Sequence, residues 1–428
     1  MADTQQTSPV RRLLGVAAVA ALVALLALVF SLWRQLNVPA LPALDTPHPV
    51  ASSALVERGA YLALAGNCAG CHSARGGQPY AGGRAIATPF GTVFAGNLTP
   101  DAETGLGRWS ADAFWRALHH GQSRDGRLLV PAFPYDSYTQ ISRADSDALH
   151  AFLGSLPAVP QPNRPHALRW PYNTQLALAA WRTLYFEPQP FVPEAAQSAE
   201  WNRGAYLVRG LGHCAACHSA RDGLGGPAGD LAGGHLPQPA WFAPSLRAES
   251  EGGVQHWDTA RTVELLQRGT TAGASVIGPM AEVVFESTQH LSPADLRAMA
   301  VYLQALAPQP VAQPVFERAR GDQLALGEKV YGEHCADCHG AQGQGAPGAY
   351  PALVGNRAIT QVEGANPVLA VLSGGFAPAT AGNPQPYGMP PYRTLLTDAE
   401  IAAVVTHLRQ SWGNRASAVR PQDVQRLR

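Results

Sequence analysis

The chain has 428 residues, 46% of them hydrophobic, and its 31 Lys and Arg balance 31 Asp and Glu to a formal net charge of zero. At roughly 100–200 residues per domain, that length allows two to four domains with packed cores. A balanced charge removes the electrostatic case for nucleic acid or for a strongly acidic partner.

The first predicted element is an apolar run from Leu13 to Trp33, preceded by Arg11 and Arg12 and followed by Arg34. As a helix rising about 1.5 Å per residue it would span roughly 31 Å, close to the hydrocarbon thickness of a bilayer. A signal peptide has a shorter apolar core of about 7–15 residues. Val38-Pro39-Ala40 is also only a mediocre cleavage site. The run reads as an uncleaved membrane anchor, with a cleaved signal as the alternative. In both cases the paired arginines place the N-terminus inside and everything after about residue 35 outside the cytoplasm.

Three similar units follow. Gly59-Ala60-Tyr61-Leu62, Gly204-Ala205-Tyr206-Leu207 and Gly327-Glu328-Lys329-Val330-Tyr331 each read as a short helix running into a cysteine motif. In unit one a helix Ala111–His120 is expected. The units close on amphipathic helices at Arg143–Leu153, Pro293–Leu306 and Thr397–Ser411, with Asp or Glu in their first turns as the helix dipole favours. Proline-rich stretches at Pro157–Pro165, Pro188–Pro193 and Pro308–Pro314 mark linkers. The aromatic segment His166–Phe186 reads as an insert that packs onto unit one or meets a partner. The expected division is therefore 1–50 anchor and linker, 51–165 unit one, 166–194 insert, 195–310 unit two, 318–413 unit three and 414–428 tail. With 43 Gly and 36 Pro, the long irregular loops suit domains whose core is a bound group.

All six cysteines lie in three copies of one pattern: Cys68-Ala-Gly-Cys71-His72, Cys214-Ala-Ala-Cys217-His218 and Cys335-Ala-Asp-Cys338-His339. Cys-x-x-Cys-His is the attachment pattern of c-type haem. On a helix, positions i, i+3 and i+4 share a face. Two thiols can then add to the haem vinyl groups while the next imidazole faces the iron. A structural zinc site wants four ligands, and each cluster gives three. Three Cys-x-x-Cys disulfides would leave the histidines unexplained. The expected cofactor is three haem c, with Cys68, Cys71, Cys214, Cys217, Cys335 and Cys338 as covalent attachments and His72, His218 and His339 as iron ligands.

A six-coordinate haem needs a second axial ligand, and Met is a usual one. Met389, in Tyr387-Gly388-Met389-Pro390-Pro391, and Met280, in Gly278-Pro279-Met280-Ala281-Glu282, precede the closing helices of units three and two and are the candidates there. Met299 lies inside a helix and reads as core. Unit one contains no Met: its corresponding stretch is Val130-Pro131-Ala132-Phe133-Pro134-Tyr135. Haem one is then five-coordinate or bound by His119, His120, His150, His166, Tyr135 or Tyr138.

From about Glu57 onward the chain resembles the three-haem cytochrome c subunits of periplasmic, membrane-bound dehydrogenases, the alcohol dehydrogenase cytochrome subunit being the best known. Gluconate, sorbitol, fructose and molybdopterin aldehyde dehydrogenases have similar subunits. The resemblance lies in Thr88-Pro89-Phe90-Gly91, Asn97-Leu98-Thr99-Pro100-Asp101 and Thr104-Gly105-Leu106-Gly107 of unit one. It continues in Met280-Ala281-Glu282-Val283-Val284 and Ser287-Thr288-Gln289 of unit two. In unit three it rests on Gly388-Met389-Pro390, Ser411-Trp412-Gly413-Asn414 and the tail Asp423–Arg428. It departs at Phe133, where the family usually has Pro-Ala-Met-Pro, and at the long N-terminal anchor. The resemblance implies a mostly α fold of three successive class I cytochrome c domains after a transmembrane helix. It implies that a separate catalytic subunit, of pyrroloquinoline quinone, flavin or molybdopterin type, oxidises an alcohol, aldehyde or sugar. Electrons then cross this chain to ubiquinone or a terminal oxidase. It also makes the carbonyl near Pro351 a hydrogen-bond acceptor for His339. The chain carries no nucleotide, flavin, molybdenum or pyrroloquinoline quinone motif, so it is not expected to oxidise substrate alone. The other readings are a free-standing carrier, or a peroxidase-like haem enzyme using an open haem one.

Overall fold

The computed structural model describes residues 9–45, 51–237, 240–309 and 315–428. Met1, residues 46–50 and 310–314 of two expected linkers, and the side chains of Arg11 and Arg12 lie outside the described residues.

Each unit is framed by two helices that cross at a glycine. The leading helices are Ser53–Ala65, Ala199–Tyr206 and Gly321–His334, and the closing helices are Arg143–Ser155, Pro293–Gln304 and Asp398–Gln410. Ser52, Ser142, Ser198, Ser292 and Thr397 cap five of these six helices by accepting a backbone N–H three residues on, which satisfies one donor the helix start leaves open. At the crossings, a Cβ on Gly59, Gly204 or Gly327 would overlap the carbonyl oxygen of Ala148, Ala298 or Ala403 respectively. The repeated glycine seen in the sequence is thus the point of closest backbone approach in all three units.

Strands are few. Ala85–Thr88 pairs antiparallel with Gly91–Phe94, and Ala167–Leu168 adds a third strand to that hairpin. Through this strand and the helix Gln175–Tyr185, segment 166–186 packs on unit one: Tyr172 lies 4.3 Å from Phe90 between ring centroids, and Trp181 and Phe186 lie edge-on to the buried Tyr135. The stretch Pro157–Pro165 is also held to unit one, where the Asn97 side-chain amide donates to the carbonyls of Val159 and Gln161.

Units one and two share one hydrophobic core, in which Leu62, Leu149 and Ile141 join Leu207, Leu211, Leu296 and Tyr302. Their junction is reciprocal. Asp145 of unit one binds Arg58 of its own unit and accepts the Tyr206 hydroxyl of unit two at 2.6 Å. Asp295 of unit two binds Arg203 of its own unit, at 2.8 and 2.7 Å, and accepts the Tyr61 hydroxyl of unit one at 2.6 Å. Each tyrosine hydroxyl also accepts the backbone N–H of the facing cap residue, Ser142 or Ser292, at 3.1 Å. Unit three has a separate core around Val330, Leu372, Ile401, Val405 and Leu408. It meets unit two mainly through polar contacts, such as the Asn366 amide, which exchanges two hydrogen bonds with the Phe242 backbone.

The N-terminal helix runs from Pro9 to Leu36, and its stretch Leu13–Leu36 is long and apolar enough to cross a membrane, with none of it buried. Its end is fastened to the insert helix, and the stretch after it to unit one. Gln35 donates to Thr183 Oγ1 at 2.7 Å and accepts from Arg182 Nε at 2.8 Å, and the Leu41 and Leu44 N–H groups donate to the carbonyls of Arg124 and Arg108.

Candidate functional site

The cysteine motifs form short helical turns, Cys68–His72, Ala215–His218 and Ala336–His339, directly after the leading helices. In units one and two the residue before the first Cys, Asn67 or His213, has a left-handed backbone (φ 47° and 36°) that turns the chain sharply. Unit two reaches this point through a π-helical stretch, Leu207–Leu211, a feature often found near functional sites. None of the six sulfurs is paired in a disulfide. Burial pushes Cys68 and Cys214 up to about 12 and Cys335 up to about 11. An apolar setting of this kind suits sulfurs that end as thioethers.

The three histidines share one geometry. His72 Nδ1 lies 2.7 Å from the Gly96 carbonyl, His218 Nδ1 2.7 Å from that of Pro244, and His339 Nδ1 3.0 Å from that of Pro351. A carbonyl can only accept, so Nδ1 carries the proton and Nε2 keeps its lone pair. Burial holds all three imidazoles below their usual pKa, so they stay neutral. A neutral ring oriented by a carbonyl is the form that ligates iron. The acceptor expected for His339 is in place. Gly96 and Pro244 were not named from the sequence, because a backbone carbonyl leaves no residue-type signal.

In unit two the ligand space itself is visible. A cavity of about 250 Å³ is walled mostly by apolar side chains, among them Leu207, Trp241, Leu246, Trp257 and Leu303. On the measure by which about 10–15 Å³ holds one water, it accepts a group of tens of atoms. Cys214, Cys217, His218 and Met280 all open onto it. Met280 lies in the first turn of the helix Pro279–Glu286. Met299 also reaches the cavity wall, from the buried face of the closing helix. Met389 lies in the short strand Gly388–Met389 and packs against the core of unit three. An apolar cavity with two cysteine sulfurs and an oriented imidazole on its wall fits a porphyrin.

Unit one has the same turn and the same oriented histidine, but Phe133 stands before its closing helix, half-buried with its ring 5.3 Å from that of Tyr138. The side chains considered for its sixth ligand are scattered. Tyr138 is buried beside Cys68 and Cys71, with its hydroxyl donated to the Gly66 carbonyl at 3.2 Å. His150 Nε2 bonds the Trp109 carbonyl at 3.0 Å, and His166 Nδ1 accepts the Phe94 N–H at 3.2 Å. His119 stacks on Trp115 and abuts His120, and Tyr135 packs under the Arg182 guanidinium.

The first two turns adjoin each other. His213 Nε2 lies 3.3 Å from the Gly66 carbonyl, Ala65 and Asn67 help wall the unit-two cavity, and Cys71 is an electrostatic neighbour of Cys217. Arg84 of unit one also pairs with Glu282 at 2.9 Å, on the helix that carries Met280.

Helical units that present paired thiols and an oriented imidazole to an apolar cavity define a haem-binding c-type electron carrier. The cytochrome c family model matches residues 56–157, 202–307 and 324–412. The chain is 38% identical over 403 residues to the gluconate 2-dehydrogenase cytochrome c subunit of Pantoea cypripedii, covering 88% of this chain and 90% of that one. It is 36% identical over 398 residues to the alcohol dehydrogenase (quinone) cytochrome c subunit of Gluconobacter oxydans strain 621H, covering 88% and 83%. It is 32% identical over 425 residues to the fructose dehydrogenase cytochrome subunit of Gluconobacter japonicus, covering 92% and 86%. The chain belongs to the cytochrome c family, and its work is electron transfer.

Proposed function

We propose that this chain is the electron-transfer subunit of a membrane-bound dehydrogenase, carrying three haem c groups, one per unit. The observation that carries the reading is the threefold repeat of one thiol–imidazole–carbonyl geometry at His72, His218 and His339. In this reading Cys68 and Cys71, Cys214 and Cys217, and Cys335 and Cys338 hold the haems, and the three histidines ligate iron. Met280 and Met389 complete the iron coordination in units two and three, while Phe133 leaves that of unit one without a methionine. Haem supplies a one-electron iron couple when bound. The protein sets its potential through the axial side chain, burial and the Nδ1–H hydrogen bond.

Relatives named as cytochrome subunits of gluconate, alcohol and fructose dehydrogenases support a catalytic dehydrogenase as partner. They favour this reading over a free-standing carrier or a peroxidase-like enzyme. The partner oxidises an alcohol, aldehyde or sugar, and ubiquinone or a terminal oxidase takes the electrons. The apolar helix Leu13–Leu36 anchors the chain in the cytoplasmic membrane, with the haem units on the periplasmic side. Purification from membranes in mild detergent tests the proposal. The chain should co-purify with a dehydrogenase whose substrate reduces its haems. A chain isolated alone from every membrane fraction, and reduced by no dehydrogenase substrate, would refute it.

A further inference from the structure

The chemistry of haem fixes which way it faces in unit two, given the reading above that Cys214 and Cys217 hold it. Vinyl and propionate groups sit on opposite edges of the macrocycle, so thioethers at one end of a cavity send the carboxylates to the other. The thiol end is turned to unit one, where Ala65 and Asn67 wall the cavity and Gly66 lies against His213. A different stretch of wall comes from unit three: Arg357, Ala358, Gln361 and Asn366.

Arg357 is a cation placed on another unit's cavity. Its Nη1 donates to the Gly253 carbonyl at 2.5 Å, its backbone N–H donates to Gly273, and its guanidinium lies 4.8 Å from the Trp257 ring centroid. Arg261 lies over the same ring at 3.8 Å, and its Nε is buried without a hydrogen-bond partner. Two guanidinium groups thus share one indole. Glu249 acts on Arg357 electrostatically, and the acids around the two arginines also have nearer partners. Glu249 pairs with His256, Glu264 with Arg268 and Thr271, Asp258 caps the N–H of Arg261, and Glu251 accepts the Ser245 N–H. A half-buried cation on the wall of an apolar cavity, backed across one indole by a second cation with an orphan donor, calls for an anion.

We infer that Arg357, with Arg261 behind it, binds a propionate of the haem held in unit two, so that unit three completes the haem site of its neighbour. Arg357 is then a positioning residue. Its charge favours the reduced haem, which is one unit less positive, and so links the docking of unit three to the potential of haem two.

Redox titration of the full-length protein in detergent tests this, with electron paramagnetic resonance resolving the haems and Met280→His marking the one in unit two. Arg357→Gln should lower the midpoint potential of that haem alone, and Arg357→Lys should recover most of the loss. Gln289→Ala removes an uncharged link between units two and three, to the Ala379 carbonyl and off the cavity wall, and should leave the potential in place. The proposal fails if Arg357→Gln moves no potential, or if Gln289→Ala lowers it as far as Arg357→Gln does. A pyridine haemochrome assay on the native chain separates the two levels: fewer than three haems would overturn the reading of the cavity itself.

Discussion

Phe133 and Met280 stand at corresponding places in two units that otherwise share a turn, a histidine and an oriented ring. Sulfur can share a lone pair with iron, and a phenyl ring cannot. The expected consequence is a haem one of lower potential than its partners, since methionine ligation raises the potential. The methionine-to-iron absorption band should report two haems in the native protein, one in Met389→Leu and three in Phe133→Met. Three in the native protein would show that the ligand assignment is wrong. Asp295 offers a second test at this scale. Burial pushes its carboxyl up, but the hydrogen bonds from Arg203 and Tyr61 and the Arg203 charge outweigh burial and hold it below the usual range. A carboxylate depressed in the folded state contributes stability above its unfolded pKa of about 3.9, and loses it as pH falls through the folded value. Asp295→Asn should therefore cost about 2–3 kcal/mol at neutral pH, and the gap from the native protein should narrow only below about pH 4. Denaturant melts across that range would show it, and a gap that stays constant down to pH 2 would contradict it.

The crossing of leading and closing helices decides how each unit holds its cysteine turn, because that turn follows the leading helix, directly or, in unit two, through the π-helical stretch Leu207–Leu211. Gly327 has no room for a side chain at the Ala403 carbonyl. Gly327→Ala should force the helices apart and destabilise unit three by about 1–3 kcal/mol, read as a lower midpoint in a denaturant melt. An unchanged midpoint would mean that the helices can part freely. Much at this scale was legible. The helix Ala111–His120 was expected in its place, the starts of the closing helices followed from the acidic residues in their first turns, and the cysteine–histidine turns from their spacing. What stayed illegible is what the chain achieves without a side-chain signal. The carbonyls of Gly96 and Pro244 orient their histidines through the backbone. The π-helical turn at Leu207–Leu211 has no residue signature. Tyr61 and Tyr206 were visible as a repeat, but their exchange of aspartates depends on how two units meet.

The haem units form two packed bodies behind one N-terminal helix, among the described residues. Units one and two bury a common core and exchange tyrosines across a reciprocal junction, so neither can unfold while the other keeps its packing. Unit three keeps its own core and touches unit two largely through hydrogen bonds, which contribute little net stability when water can replace them. The N-terminal helix is held through Gln35 to the insert helix that packs on unit one, and the stretch after it through Leu41 and Leu44 to unit one itself. The N-terminal helix, the pair and the third unit therefore lie in series, with unit two in the middle touching both neighbouring units. Calorimetry of the haem-loaded protein in detergent should then show two transitions rather than one. Gly327→Ala should move only the transition of unit three, and Asp295→Asn only that of the pair. If both substitutions shifted a single transition, the polar seam between units two and three would be carrying as much cooperativity as the shared core. Arg357 would then be the first residue to suspect, because it is the cation through which unit three reaches the haem cavity of its neighbour.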